Sequence, residues 1–339
     1  MIRRVSIVLP IVLISLSAHA ASQLRNPNLP NDKTHDEWVD EAKQKLYSSI
    51  APDDEKGFLR LGPPKPGEWL QFYKETPQTF ERYKLAVKVR PSPERKTLVL
   101  QPLGEMDASK QKVMEKMREY AEIFFQIPAR LEKPLPLEAP NAILFKPVPI
   151  NNRHGSYDKQ YDGDKIMELV LEKHIPKDAI AYLGITMEDL FSDDLNFVFG
   201  IATLKKRVGV YSLCRYYPEF WGQSPAPANS EVLGLRRACK VLNHETGHMF
   251  GLTHCVFYHC SMNGSNTLTE TDAAPIHFCP LCQRKLAWNM GFDTLKQYEQ
   301  LEAFYRRNDL IEEADWMVER IKNWKQVVEQ EKLKKIGEE

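Results

Sequence analysis

Residues 244–255 read HETGHMFGLTHC. On an α-helix, residues four apart share a face, so His244 and His248 can aim their imidazoles at one point. Imidazole nitrogen suits zinc, and two such nitrogens make half of a tetrahedral site. Glu245 follows one residue on, rotated by roughly 100° about the helix axis, which sets its carboxylate beside the metal rather than on it. From there it can take a proton from a water whose pKa zinc has lowered toward about 7. Gly251 has a separate task. A third ligand beyond the helix needs a sharp reversal of the chain, and glycine adopts left-handed backbone at little cost. His254 can then complete a three-histidine set with one position left for water, the mark of a catalytic zinc site. His-Glu-x-x-His alone arises by chance in roughly one chain in twenty-five of this length, and requiring Gly251 and His254 cuts that about 400-fold. One such histidine would read as a satisfied core residue; the whole constellation reads as a metal site.

Cysteines follow at once. Cys279-Pro-Leu-Cys282 is a common half-site for zinc, and Cys255 with Cys260 supplies a second pair. Four thiolates would close a structural site, clamp the loop after His254 to the next helix, and hold Met262 in place. Two disulfides are the competing arrangement if the chain meets an oxidising compartment. Cys214, expected on a strand, and Cys239, on the motif helix, read as small buried apolar residues.

HETGHMFGLTHC resembles the long zinc motif of metzincin metallopeptidases, with Met262 in HCSMNGS placed for the methionine turn beneath their metal. The cysteine spacing narrows the resemblance to the archaemetzincins. NFVFGIATL, GVYSLCRY, GSNTLTETD and CPLCQRKL look like segments of that family, and EWLQFYKETPQTFERY is similar to archaemetzincin-2-like members. The resemblance covers about residues 65–300. It implies an α+β metzincin-like (zincin) catalytic domain and a zinc metallopeptidase acting on peptides or proteins. It also implies two Zn2+ per chain: a catalytic ion on His244, His248 and His254 with Glu245 as general base, and a structural ion on the four cysteines. In metzincins the strand in the position of NFVFGIATL pairs with extended substrate; a wholly internal strand is the alternative.

The elements that must position these residues are legible in outline. KTLVLQPL (96–103) reads as a strand, and 109–127 as an amphipathic helix with Val113, Met117, Tyr120, Ile123 and Phe124 on one face. The proline-rich stretch 128–150 reads as irregular, with one strand. Asp164–His174 looks helical. Strands are expected at 179–186, 196–204 and 208–216, the last two joined at a hairpin tip, Lys205-Lys206-Arg207. A loop at 224–230 precedes a helix over 231–252 that carries the motif. Residues 283–335 are mostly charged helix, with Trp324, Val327, Val328 and Leu333 on one side of the tail. This order favours a mixed β-sheet packed on helices. The expected organisation is a leader (1–20), a polar helical extension (21–95), the catalytic domain (96–300) and a charged helical tail (301–339).

Lys+Arg and Asp+Glu are both 46, so nothing supplies the field that a nucleic-acid binder needs. Hydrophobic content of 42% against 27% charged argues against wholesale disorder. MIRR, the apolar run VSIVLPIVLISLS and AHA-A have the layout of a secretory signal cleaved after about Ala20. That predicts an exported, periplasmic or secreted protein with no stable membrane insertion; an uncleaved anchor is the alternative. Export departs from what the family resemblance implies. The segment 21–64 reads as a structural wrap rather than a pro-segment. Oligomeric state is not encoded in any recognisable motif.

Lesser candidates have ordinary readings. His259 and His277 fit surface histidines, and Glu270 and Asp272 fit the acidic first turn of a helix. Tyr216, Tyr217 and Tyr258 carry hydroxyls that could meet an oxyanion, though aromatics mostly pack. Two rival functions remain: a zinc hydrolase of a non-peptide amide, and a non-catalytic zinc-stabilised binding protein. The second has no use for Glu245.

Overall fold

Three apolar runs set the centre of the molecule: β1 (Thr97–Leu103), β5 (Ala179–Thr186) and β9 (Val208–Ser212), buried along their whole lengths. They lie side by side and parallel, with β5 in the middle. Near-continuous apolar sequence is what a strand covered on both faces requires. β2 (Ala129–Leu131) pairs parallel outside β1, and β8 (Gly200–Thr203) pairs antiparallel outside β9, for the order β2-β1-β5-β9-β8. The computed structural model describes residues 35–49, 52–149, 157–192, 195–203, 206–223 and 226–337. The leader, 1–20, lies outside the described residues.

Alternation along the strands divides the core in two. Leu98, Leu100, Leu183 and Ile185 face one apolar cluster, while Val99, Leu103 and Tyr182 face the other. The first cluster holds two long helices. The helix Ala108–Phe125 starts where Asp107 accepts the Lys110 amide N–H and stops at Gln126, in left-handed backbone. The motif helix is Ser230–Met249. The second cluster is covered by an irregular helical stretch: an α-turn (Gly163–Lys165), a π-turn (Ile166–Val170) and a 3-10 turn (Leu171–Lys173). Around it sits a four-stranded sheet of order β3-β4-β6-β7, namely Phe145–Pro147, Lys159–Asp162, Leu190–Ser192 and Leu195–Val198.

Three expectations are corrected. The stretch 128–150 contains two short strands, β2 and β3, in different sheets. NFVFGIATL is two strands: Leu195–Val198 joins β6 in the second sheet, and Gly200–Thr203 joins β9 in the first. The break is at Phe199-Gly200, where a Cβ on Gly200 would come within 2.6 Å of the Tyr211 Cβ. The strand expected over 208–216 ends at Ser212, and Cys214 stands in a 3-10 turn, Cys214–Tyr216. That turn brings the buried Arg215 onto Asp189 in a two-pronged ion pair of 2.6 and 2.7 Å.

Both flanking regions pack on the first cluster. Phe58 and Tyr83 come from the N-terminal side; Phe304, Tyr305, Ala314 and Met317 come from the helices Thr294–Arg307 and Ile311–Gly337. Trp324 and Val327 of the last helix face inward; the side chain of Leu333 lies outside those described. Arg320 of the same helix, fully buried, grips Asp54 with a bond of 2.5 Å to its carboxylate. No helix among the described residues is long and apolar enough to cross a membrane.

Candidate active site

From Arg237 to Met249 every residue of the motif helix is buried. A helix buried all round is a core element, which holds its polar side chains in fixed places. The helix ends in a Schellman arrangement: the Leu252 N–H donates to the Gly247 carbonyl (3.0 Å) and the Gly251 N–H to the His248 carbonyl (2.8 Å). Gly251 has φ of +84°, the left-handed backbone expected of it. The chain doubles back and returns His254 to the histidine pair.

One ring nitrogen from each of His244, His248 and His254 lies within 4.8 Å of the others. His244 Nδ1 is 2.9 Å from the Ser261 carbonyl oxygen and His248 Nδ1 is 2.7 Å from that of Leu252. A carbonyl only accepts, so both Nδ1 atoms carry the proton and both Nε2 atoms present lone pairs. These Nε2 atoms are 3.0 Å apart. Two lone pairs at that distance repel unless a cation lies between them, so this donor set fits a zinc ion. Burial lowers the His244 pKa to about 3 and pushes His248 well below its usual range, keeping both rings neutral as ligands must be.

Glu245 is fully buried and neither carboxylate oxygen has a hydrogen-bond partner. Burial raises its pKa to about 8. A carboxylate so placed costs several kcal/mol without a compensating charge, which is characteristic of a functional group. Of the three tyrosines, Tyr216 alone is near: it stacks on Phe199 and lines a narrow cavity with His244, Lys240, Ser261 and Thr271. That cavity, about 20 Å³, has room for about one water. Tyr258 donates instead to Glu55, and the Tyr217 ring packs over Gly234. A roomier depression of about 630 Å³ lies elsewhere, between the helices of Arg118 and Arg307, and contains none of these residues.

The four sulfurs of Cys255, Cys260, Cys279 and Cys282 also gather within 4.8 Å, all buried. Cys255 Sγ and Cys279 Sγ are 3.7 Å apart. Four thiolates bound to one zinc at about 2.3 Å would stand about 3.8 Å apart, whereas a disulfide needs about 2.05 Å. Between the two clusters sits Met262, fully buried, its carbonyl accepting the Cys255 N–H at 2.7 Å. Its thioether lies against Gly247, between His244 and His248 on the helix.

A further residue at the site is not marked by any sequence motif. Glu75 Oε1 accepts a hydrogen bond of 2.6 Å from His254 Nδ1 and one of 2.8 Å from the Trp69 indole N–H. Burial disfavours this carboxylate, but His254 and Trp69 outweigh it and hold its pKa below the usual value. Its only sequence signal is membership of the family-like segment EWLQFYKETPQTFERY. Glu270 and Asp272 are structural: Glu270 accepts the backbone N–H groups of Trp69 and Asn266, and Asp272 pairs with Arg237. His259 is half-buried, its N–H bonded to Leu59. His277 is likewise half-buried, stacked flat on Trp316 with centroids 3.5 Å apart, and burial beside Arg320 lowers its pKa to about 3.

Residues 136–288 match the family described as Peptidase family M54. The chain is 30% identical over 293 residues to archaemetzincin-2 of Pongo abelii, covering 78% of this chain and 79% of that protein. It is 40% identical over 134 residues to archaemetzincin of Thermococcus kodakarensis, covering 40% of this chain and 70% of that one. The crystal structure of archaemetzincin from Methanopyrus kandleri aligns at 26% identity with a TM-score of 0.44, over 59% of this chain and 97% of that one.

Proposed function

We propose, starting from the fact that this chain belongs to the archaemetzincin family of zinc metallopeptidases, that it cuts peptide bonds with Glu245 as general base. His244, His248 and His254 would hold the catalytic ion, and Cys255, Cys260, Cys279 and Cys282 a structural one. The observation that carries this is the convergence of three imidazole nitrogens beside a buried carboxylate with no partner. When bound, zinc supplies the Lewis acidity that makes a water acidic near neutral pH and polarises a carbonyl.

The protein's own groups supply the rest. The Nδ1 bonds of the histidines fix which nitrogen faces the ion and at what angle. Glu245 accepts the proton of the attacking water and hands it to the leaving amine. Its raised proton affinity suits a group that must both take and release a proton. β8 ends its sheet, and its outer edge pairs with no strand among the described residues. An extended peptide could add there as a further strand, which favours peptide over a small amide as substrate. The separation of the cysteine sulfurs supports zinc over disulfides. The leader MIRRVSIVLPIVLISLSAHA supports export.

The test is peptide-library cleavage by the zinc-loaded protein beside Glu245→Gln and Glu245→Ala. Loss of the base should reduce the rate by about 10²–10⁴-fold with zinc content unchanged. Equal cleavage by the variants, or none by folded wild type carrying two zincs, would sink this function.

A further inference from the structure

Each of the three histidines sets its ligand nitrogen through a bond at Nδ1, but the partners differ in kind. For His244 and His248 they are carbonyls of the loop that follows the motif helix. For His254 the partner is a carboxylate, Glu75, 179 residues earlier in the chain. A carbonyl orients an imidazole. A carboxylate also makes it a better donor, because it stabilises positive charge that the ring takes on when it binds a cation.

Glu75 is held by a strap that is anchored on both sides of it. On one side the Trp69 indole N–H shares Oε1 with His254, and the Trp69 backbone N–H bonds Glu270 at 2.9 Å. The indole stands edge-on to His254 at 5.1 Å and fits over Gly264, where a Cβ would meet it at 2.5 Å. On the other side Gln78 donates to the Gly251 carbonyl at 2.9 Å and is itself gripped by Lys285, with Nζ 2.5 Å from its carbonyl oxygen and 3.0 Å from Oε1. The strap therefore touches the helix-ending turn, the third ligand and the loop after Met262.

We infer that Glu75 is a positioning residue of the metal centre: it locks His254 with its proton on Nδ1 and strengthens its grip on the metal. The segment 67–78 is thus a working part of the site, not a cover removed on activation. This rests on the reading of the three histidines as metal ligands. Glu75 itself touches neither metal nor substrate in this arrangement.

The experiment measures the zinc dissociation constant of the histidine site by chelator competition in full-length wild type, Glu75→Ala, Glu75→Gln and Trp69→Phe. Cobalt loading, in which thiolate charge-transfer absorption marks the cysteine site, reads the two sites apart. Loss of a carboxylate of this kind weakens metal binding by about 10–100-fold. Glu75→Ala is expected at the upper end. Glu75→Gln, which keeps an acceptor but no charge, is expected at the lower end. Trp69→Phe should shift affinity in the same direction by less. The zinc affinity of the cysteine site should stay put, which a general loosening of the fold would not allow. Wild-type affinity in both Glu75 variants would overturn the inference, as would a gain in cleavage at unchanged affinity, the sign of an inhibitory cover. Wild type that leaves the histidine site empty at saturating zinc would overturn the metal-site reading first, and this inference with it.

Discussion

Replacing Gly247 by alanine sets two effects of opposite sign against each other. On an exposed helix the change stabilises by about 1 kcal/mol, because glycine is the poorer helix former. Here the new Cβ would lie 2.5 Å from the Met262 Sδ, 3.2 Å from its Cε and 3.4 Å from the Phe278 Cζ. Met262 is fully buried and Phe278 nearly so, so the sulfur has to move by about 1 Å within packed surroundings. Overpacking costs about 1–3 kcal/mol, and an approach of 2.5 Å to a buried atom belongs to the upper part of that range, about 2–3 kcal/mol, so the net expectation is a loss of about 1–2 kcal/mol. The cause can be isolated by repeating the change in a Met262→Ala background. Met262→Ala alone should cost about 2–5 kcal/mol, but it removes the obstructing atoms, so Gly247→Ala should then stabilise by about 1 kcal/mol. Urea unfolding of the four proteins at fixed excess zinc measures this reversal, a coupling of about 2–3 kcal/mol. If Gly247→Ala is as stable as wild type, or costs the same in both backgrounds, the methionine does not press on the helix between the ligands and this account of its role fails.

Two further outcomes follow from the geometry. Cys279→Ser should lower the melting temperature by several degrees while the histidine site keeps its zinc within about threefold, because a closed thiolate site contributes folding energy directly; zinc analysis with calorimetry checks it, and equal loss of both ions with unchanged melting contradicts it. His277 has its pKa lowered to about 3 by burial and the nearby Arg320. Its contribution to stability is therefore complete above the unfolded value of about 6.5 and is lost as pH falls toward 3, by a few kcal/mol at most. His277→Phe should flatten the difference in stability between pH 7 and pH 5 relative to wild type; an unchanged slope in denaturant titrations would show that the imidazole is not held neutral by its stack on Trp316.

Local chemistry made much of this site readable. His244, Glu245, His248, Gly251 and His254 lie within eleven consecutive residues, so helical spacing and one glycine determine their arrangement. The cysteine set was readable for the same reason: each pair is local. Glu75 was not, because no periodicity relates it to His254 and only tertiary folding brings them together. The strand over 196–204 misled because its apolar character is continuous across Phe199, while the change of sheet there is set by pairing with β6 on one side and β9 on the other, partners distant from the pattern itself. Cys214 lies off the expected strand, in a turn whose Arg215 meets a buried partner, Asp189, that pattern alone does not reveal. His277 looked like a loop histidine because its stacking partner, Trp316, belongs to a helix 39 residues further on. The signals that were read depend on neighbours in sequence, and those that were missed depend on neighbours in space.

The strap has a consequence for how the protein is made. Asp54 is held by Arg320, 266 residues away, and Glu75 meets His254 across 179. During synthesis the segment around Glu75 leaves the ribosome before its docking surfaces, the Gly251 turn, His254 and Lys285, which are translated later. Contacts between such distant parts form only after their loop-closure entropy has been met, and they form slowly. Glu75 is thus an early residue with a late place. The histidine cluster can assemble from its own local turn before the N-terminal segment folds over it, so a nascent or truncated chain would pass through a stage with its three imidazoles gathered but the carboxylate behind the third one still in solvent.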